Sequence, residues 1–287
     1  ADPTGTIYYA DTSKGRTYYF AGNPSDNWVR FGGFYWRIIR INEDGSIRLI
    51  YSGNSTSGPV TIGESTQIGT SAFNSTYDNN MYVGYMYDTN QLHGFKTSST
   101  MKTYLDEWYS ENLLQFSNKI DGNAGFCGDR TTYSGSGIGN VETIYSGSNR
   151  LSINKNPTFD CKDLNDLYTV NGSENGNGAL TYPIGLITAD ELSYAGGIEE
   201  TDRSIYYYLR TNNRYWTMTP QSYSYLGYSY TSVFLVDTYG GFRGGMNVDI
   251  VGNEWGVRPV INLKANTNFV IDGTGTSTNP YVVIGAE

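Results

Sequence analysis

Residues 215–263 read YWTMTPQSYSYLGYSYTSVFLVDTYGGFRGGMNVDIVGNEWGVRPVINL, and this stretch carries the clearest pattern in the chain. Its centre, residues 221–256, is crowded with Tyr, Ser and Gly and contains no lysine. Tyr offers a large, stiff, amphipathic contact surface at low entropic cost, and Ser and Gly add adaptable polar contacts, as in antibody combining loops. Strand-forming segments flank this centre at 215–220 and 256–263. The pattern predicts a display surface held between two framework segments.

The overall composition favours a β-rich, loop-rich protein that does not bind nucleic acid. Charged residues make up 16% of the 287 residues, below the roughly 25% of ordinary soluble domains. The chain has 35 Gly and 27 Tyr, which favour turns and strands. Its net charge of −9 argues against a phosphate backbone as partner, because such binding needs clustered Lys and Arg. No apolar run is long enough to predict a membrane span.

The two cysteines, Cys127 and Cys161, predict a disulfide across a segment rich in Gly, Ser and Asn. Such a bridge would stabilise the fold by roughly 3–4 kcal/mol through the entropy of the closed loop. Together with abundant Tyr, Ser, Thr and Asn and few Lys, it indicates a protein that is secreted or displayed on a cell or virion surface. The alternative is two unrelated buried thiols.

Local patterns predict three elements with defined ends. Residues 28–52 form a hairpin with strands at 34–41 and 47–51 around the Asp44-Gly45 turn. Residues 99–119 form a helix capped by Ser98 or Ser99. Thr188 and Glu191 have capping-box spacing at the start of a short helix that Gly196 ends.

Weaker patterns predict the remaining elements. Residues 53–81 are expected to be a loop, and Asp202 to cap a short helix that continues through Leu209. Strands are expected at 182–187, 215–218, 232–236 and 257–263, and a strand, a turn and a final strand at 268–284.

Signatures of catalysis and of metal binding are weak. His93 is the single histidine, and its sequence neighbours include no other residue at ligand spacing, so it is interpreted as a loop or packing residue. The carboxylate pairs at 106–107, 190–191 and 199–200 are adjacent in sequence and are interpreted as caps or solvated faces rather than a glycosidase pair. The segment 272–276 is interpreted as a tight turn rather than a calcium or phosphate loop.

Five segments resemble a known family. The segments 215–220, 233–237 and 256–261 look like the closing half of a C-type-lectin-like domain, in the branch that includes formylglycine-generating-enzyme-like domains and the variable proteins of diversity-generating retroelements. The segments 182–197 and 36–51 are similar to matching parts of bacterial surface proteins of this type. The resemblance spans residues 28–264.

The resemblance implies an α+β, C-type-lectin-like fold that is β-rich and loop-rich, with two or three short helices and a long disulfide-tied insert. The whole chain, 1–287, would form one domain. It would comprise an N-terminal hairpin (28–52), a helix plus insert (53–180), a lectin-like core (181–264) and a strand tail (265–287). The segments 36–41 and 257–263 would lie near one another, because the terminal strands of that fold pair.

The resemblance also implies a ligand-binding face at about residues 222–253. Retroelement mutagenesis of Asn codons cannot produce Lys, Glu, Gln, Met or Trp, and residues 222–245 contain none of these five types. A Tyr/Ser/Gly-rich strand region would also lack them, so the gap supports diversification without establishing it. The expected contact residues are Tyr223, Tyr225, Tyr228, Tyr230, Tyr239, Phe242, Arg243, Asn247, Asp249 and Asn253.

The expected activity is therefore binding without catalysis, cofactor or metal. The enzymes of that branch use cysteines near the C-terminal core, whereas Cys127 and Cys161 lie upstream of it. The expected partner is a protein or glycan on another cell or on a virus. Two alternatives stay open: a carbohydrate-binding module, which would need a concave pocket with convergent acids, and a structural pilus or surface subunit.

Overall fold

The computed structural model describes residues 6–173, 175–197, 207–225, 227–237, 242–243 and 250–287, with backbone alone at 173, 242 and 243. Within these ranges the protein is β-rich with few short helices. The strands are β1 Thr6–Thr12, β2 Gly15–Ala21, β3 Trp28–Phe31, β4 Phe34–Ile41, β5 Ile47–Asn54, β6 Gly69–Ala72, β7 Met86–Tyr87, β8 Thr97–Ser98, β9 Phe126–Cys127, β10 Thr132–Ser134, β11 Thr143–Tyr145, β12 Leu167–Tyr168, β13 Gly172–Ser173, β14 Gly176–Asn177, β15 Tyr215–Ser224, β16 Tyr230–Val236, β17 Phe242–Arg243, β18 Glu254–Val257, β19 Val260–Leu263 and β20 Tyr281–Val282.

Three α-helices and several tighter helical turns connect these strands. The α-helices are α1 Thr100–Asn112, α2 Ser146–Ser148 and α3 Ala189–Ala195. Single turns of 3-10 helix lie at Glu64–Thr66, Asn80–Val83, Leu114–Lys119 and Leu164–Asp166, and a π-helical turn at Asn149–Ile153 follows α2 directly. No helix within the described ranges is long and apolar enough to cross a membrane.

The first sheet has seven strands built around the β4–β5 hairpin. Strands β2 and β3 both pair with one edge of β4, and they pair in turn with β1 and β20, respectively. Strand β5 pairs with the other edge of β4, and β19 pairs with β5. The Asp44-Gly45 turn forms as predicted, with Gly45 at φ 84°, a left-handed conformation that glycine adopts without strain. The β1–β2 hairpin was not predicted from the sequence.

The second sheet also has seven strands, ordered β10-β11-β15-β16-β17, with β18 paired to β15 and β6 paired to β18. In this sheet β15 and β16 form an antiparallel hairpin in which Ser224 pairs with Tyr230. The strand β15 extends to Ser224, six residues beyond the predicted end at Met218.

The predicted strand 257–263 is wrong as a single element, because it splits at Arg258-Pro259 and serves both sheets. Residues before the break form β18, which pairs with β15 and β6, and residues after it form β19, which pairs with β5. Proline has no backbone N–H for a strand ladder and restricts the residue before it. The expected neighbour, residues 36–41, lies in the same sheet as β19 but with β5 between them.

The buried Arg258 side chain joins the two sheets at this break. Its Nη2 donates to the Tyr51 carbonyl at 2.9 Å and its Nη1 donates to the Leu209 carbonyl at 3.2 Å. Its guanidinium lies 4.8 Å from the centre of the Tyr215 ring in β15. The side chain thus adds contacts to β5, to the turn at 207–210 and to β15 at the point where the chain changes sheets.

Both predicted helices with caps are present. Ser99 accepts a hydrogen bond from the Lys102 N–H at the start of α1, and the helix continues into the 3-10 turn that ends at Lys119. Thr188 and Glu191 form a complete capping box on α3, and Gly196 ends it in the left-handed conformation. Local capping signals therefore set the ends of these helices.

Four weaker predictions need correction. Residues 53–81 contain β6 and two 3-10 turns rather than a loop alone, and residues 182–187 contribute one bridge, between Gly185 and Val260, rather than a strand. Residues 207–210 form a turn rather than a helix end, and Asp202 lies outside the described residues. In the tail, β20 forms, but its expected partner strand is reduced to the Phe269–Val283 bridge.

The core is continuous between the two sheets and α1. Trp36 from β4 and Trp216 from β15 are fully buried in it, as are Leu105 and Tyr109 from α1. The indole N–H groups are satisfied: Trp36 donates to the Phe31 carbonyl at 3.0 Å and Trp216 to the Ser71 carbonyl at 2.9 Å. The framework on either side of the β15–β16 hairpin is therefore well anchored.

Candidate functional site

The tip of the β15–β16 hairpin displays two exposed tyrosines. Tyr225 has an exposed fraction of 59% and Tyr228 of 85%. They lie just beyond Ser224 and Tyr230, the last paired residues of this hairpin. Both residues belong to the contact set predicted from the sequence.

The predicted exposure of Tyr223 and Tyr230 is wrong. Tyr223 is fully buried and its hydroxyl donates to the Asp78 carbonyl at 3.3 Å, while Tyr230 has an exposed fraction of 8%. The reason is the position of the hairpin, since β15 and β16 pack against the 3-10 turn Asn80–Val83. Strand alternation indicates which rings share a face but not which face is covered.

An exposed aliphatic residue outside the predicted contact set, Val141, lies beside Tyr225. Thr143 in β11 pairs with Tyr223, so the antiparallel register continues toward Val141 opposite Tyr225. Val141 has an exposed fraction of 48%, whereas Ile144, with 39%, pairs with Ser222 and therefore projects from the opposite face of β11. The Tyr225 N–H donates to the Glu142 carboxylate at 2.9 Å, which fixes the tip against this segment. We call Val141, Tyr225 and Tyr228 the tip patch.

The other predicted contact residues do not converge on the tip patch. The strand β17, with Phe242 and Arg243, pairs with Leu235 and Val236 at the far end of β16. That end lies about 20 Å from the tip at the usual rise of a strand. Asn253 is half-buried in a turn where its N–H donates to the Ile250 carbonyl at 2.8 Å.

Several predicted contacts cannot be placed in the site. Tyr239, Asn247 and Asp249 lie outside the described residues, and so do the side chains of Phe242 and Arg243. Their contact with a ligand stays a prediction.

A concave site separate from the tip patch, which we call the polar cleft, has a volume of about 620 Å³. Its walls come from the β1–β2 turn, the β4–β5 turn, residues 121–129, residues 158–161 and the start of α3. Charged side chains of both signs line it, and most of the deep ones are buried. A volume of this size is within the usual range for small-molecule sites.

Two ion-pair networks form the deep part of the polar cleft. In the first, Glu191 lies 2.5 Å from Arg48 Nε and 3.3 Å from Arg40 Nε. In the second, Arg150 donates to both Asp190 oxygens at 2.8 Å and its Nη2 lies 2.9 Å from Asp129 Oδ2. The capping residue Glu191, interpreted from sequence as structural, therefore also lines a site.

Protonation in the cleft follows from these pairs. Burial opposes the charged form of Glu191, but the Arg48 and Arg40 guanidinium groups outweigh burial and lower the pKa of its carboxyl. Burial also opposes the charge on Arg150, and hydrogen bonding and attraction to Asp190 and Asp129 reverse that effect and raise its pKa. The charged forms of Glu191 and Arg150 are thus both favoured by their partners.

The predicted disulfide is present and forms part of the cleft wall. Cys127 and Cys161 are bonded, with their Cα atoms 5.6 Å apart. Cys127 lies on the wall formed by 121–129 and Cys161 on the wall formed by 158–161. The bond therefore fixes the distance between two walls of the cleft.

His93 lies between two aspartates of the insert. Its Nδ1 is 2.9 Å from Asp166 Oδ2 and its Nε2 is 3.4 Å from Asp163 Oδ2. The hydrogen bond to Asp166 raises the pKa of His93 above its usual value, with burial and Arg130 acting in the opposite direction. Neither aspartate is a neighbour of His93 in the sequence, because both lie about seventy residues downstream. Within the described residues, no three His, Cys, Asp or Glu side chains are grouped to hold a metal ion.

Comparisons with protein-family models, with curated proteins and with solved structures find no match to this chain.

Proposed function

We propose that this protein is a non-enzymatic, ligand-binding surface protein whose tip patch contacts a macromolecular partner. The observation that carries the proposal is the exposure of Tyr225 and Tyr228 at the hairpin tip, with the exposed Val141 beside Tyr225. Exposed apolar side chains that lie together on a folded surface are typical of interaction sites.

A protein surface is the partner that suits the tip patch best. Large aromatic side chains dominate the binding energy of protein interfaces, especially when they lie near the centre of the contact. Val141 adds aliphatic area without hydrogen-bonding groups, which suits a protein better than a sugar. The Tyr225 backbone bond to Glu142 holds the tip in place before binding, which lowers the entropy lost on association.

The family we propose is the C-type-lectin-like one suggested by residues 215–220, 233–237 and 256–261. Two features support it: the framework strands β15, β18 and β19 bracket the Tyr/Ser/Gly-rich segment, and α3 carries the capping box expected in 182–197. We further propose that this segment is diversified by a retroelement. Sequencing the neighbouring DNA tests that part: a reverse transcriptase and a near-copy of the coding region for 222–254, differing at adenines alone, would support it. The absence of both would remove it.

A paired substitution tests the tip patch. The variant Tyr225→Ser/Tyr228→Ser removes both exposed rings, and Tyr9→Ser/Tyr18→Ser removes two exposed rings that pair across β1 and β2 in the other sheet. Labelled proteins are applied to a panel of intact bacterial cells and immobilised virions, and bound fluorescence is measured. Each anchor ring lost from an interface costs on the order of 1–2 kcal/mol, so the tip variant should bind about 10–100-fold more weakly.

The same panel distinguishes protein from glycan partners. Protease treatment of the cells should abolish binding, and periodate oxidation of their glycans should leave it unchanged. If wild type binds no member of the panel, or if both variants bind as wild type does, the tip patch is not the recognition site.

A further inference from the structure

The polar cleft is a second candidate site, built from different elements than the tip patch. Its deep part alternates donors and acceptors: Arg48 and Arg40 meet Glu191, and Arg150 meets Asp190. Guanidinium groups only donate hydrogen bonds and carboxylates only accept them, so the walls offer both kinds of partner side by side.

Two buried polar atoms in the cleft walls have no hydrogen-bond partner among the described residues. These are Nη1 of Arg150, a residue with an exposed fraction of 9%, and Oδ1 of Asn42, a residue with an exposed fraction of 8%. One is a donor and the other an acceptor. An unsatisfied buried polar group costs about 1–3 kcal/mol, and both atoms lie just behind the cleft surface, where a small adjustment of the walls would bring them within reach of a hydroxyl.

The charges of the cleft exclude an anionic ligand. Its lining has seven acidic side chains and four basic ones. A phosphate or a carboxylate would meet a net negative site in which the arginines already bind acids. Cations are also disfavoured, because Asp190, Glu191 and Asp129 are paired with guanidinium groups that a cation would have to displace.

The cleft lining offers no aromatic face on which an apolar or aromatic ligand could stack, because both faces of its Phe159 ring are covered. The Phe159 ring is stacked on Tyr194 with centroids 4.0 Å apart, and the Arg40 guanidinium lies 4.9 Å from the same ring. Since Tyr194 covers one face, the guanidinium takes the other. The ring therefore offers no free face for stacking.

We propose that the polar cleft binds an uncharged polyhydroxyl ligand of the size of a mono- or disaccharide. Each hydroxyl both donates and accepts a hydrogen bond, which matches walls of alternating guanidinium and carboxylate groups. Charged side chains form stronger hydrogen bonds than neutral ones, so a ligand without stacking contacts is still held in one orientation. The Cys127–Cys161 bond preorganises the cleft by fixing two of its walls.

Saturation-transfer NMR tests the proposal with named probes. Glucose, galactose, mannose, N-acetylglucosamine and maltose are the uncharged probes, and inorganic phosphate and spermidine are the charged ones. At least one sugar should receive transferred signal, and neither charged probe should compete with it. The tip variant Tyr225→Ser/Tyr228→Ser should bind that sugar as wild type does, which separates this site from the proposed recognition face.

Variants place the bound sugar in the cleft. Arg40→Gln removes one donor group while Arg48 still pairs with Glu191, and Asp129→Asn removes one charge while Asp190 still pairs with Arg150. Each should weaken sugar binding at least tenfold. Arg16→Gln is the control, because Arg16 is exposed on β2 and pairs with Asp11 outside the cleft.

Three results would overturn the proposal. The first is no transferred signal from any of the five sugars. The second is binding of phosphate or spermidine in preference to them. The third is sugar binding that both Arg40→Gln and Asp129→Asn leave at wild-type strength, with each variant folded by circular dichroism.

Discussion

Removing the disulfide should destabilise the protein by an amount that its position in the chain predicts. The bond joins residues separated by 34 positions. The loop-entropy relation for a loop of that length gives about 4 kcal/mol at 25 °C. Cys127 and Cys161 are both half-buried, so replacement by the near-isosteric serine adds little cavity or desolvation cost.

The measurement is reversible unfolding of Cys127→Ser/Cys161→Ser beside wild type. Trp36 and Trp216 are fully buried, so the loss of tertiary structure is visible in tryptophan fluorescence. For a chain of 287 residues, 4 kcal/mol corresponds to a fall in Tm of roughly 7 °C. Urea titration should show a lower midpoint and a slope at least as steep as that of wild type, because the unfolded chain exposes more surface without the cross-link.

Reduced wild type is the control for the serine substitutions. If the stabilisation comes from the closed loop, reduction should bring wild type to within about 1 kcal/mol of the double variant. A loss below about 1 kcal/mol in the double variant would refute the loop-entropy reasoning. If the double variant is as stable as wild type but no longer binds sugar, the bond serves to hold the cleft walls in position rather than to stabilise the fold.

Two further predictions concern buried charge. Asp166 stabilises protonated His93 and so raises the pKa of His93 in the folded protein. The resulting contribution to stability should be complete below about pH 6.5 and disappear as pH rises through the folded pKa. The Tm of wild type minus that of His93→Gln, measured from pH 5.5 to 8.5, should therefore shrink with rising pH, and a constant or growing difference would contradict this. Arg258→Met removes the guanidinium donor from the buried Tyr51 carbonyl and leaves the Leu209 carbonyl with the Tyr215 hydroxyl, so it should lower the free energy of unfolding by about 1–3 kcal/mol in urea titrations. The exposed control Arg16→Met should leave the free energy of unfolding close to that of wild type.

The parts of the fold that the sequence predicted depend on short-range chemistry. The Asp44-Gly45 turn and the Thr188/Glu191 capping box need residues within four positions of one another, and both are present. The β1–β2 hairpin was missed for a related reason. Side chains on both faces of β1 are exposed, so its residues show no alternation of polar and apolar types for a pattern to detect.

The sites were harder to predict, because their residues come from distant parts of the chain. Arg48 and Glu191 are 143 positions apart, yet they form one ion pair in the polar cleft. Sequence spacing carries no information about such a pair. At the tip patch, composition identified Tyr225 and Tyr228 correctly as exposed, but it did not reveal that the same hairpin buries Tyr223.

The position of Arg258-Pro259 has a consequence for how this chain folds. β19 pairs with β5, and the Arg258 side chain binds Tyr51, which is 207 positions earlier. β18 completes the pairing of β15 and β6 in the other sheet. Contacts with such large sequence separation slow folding, since the entropy of closing the loop is lost before the contact forms. During synthesis, β6 cannot pair with β18 until residue 257 has left the ribosome, and β5 cannot pair with β19 until residue 263 has left it, so these two edges stay open long after both strands have been made.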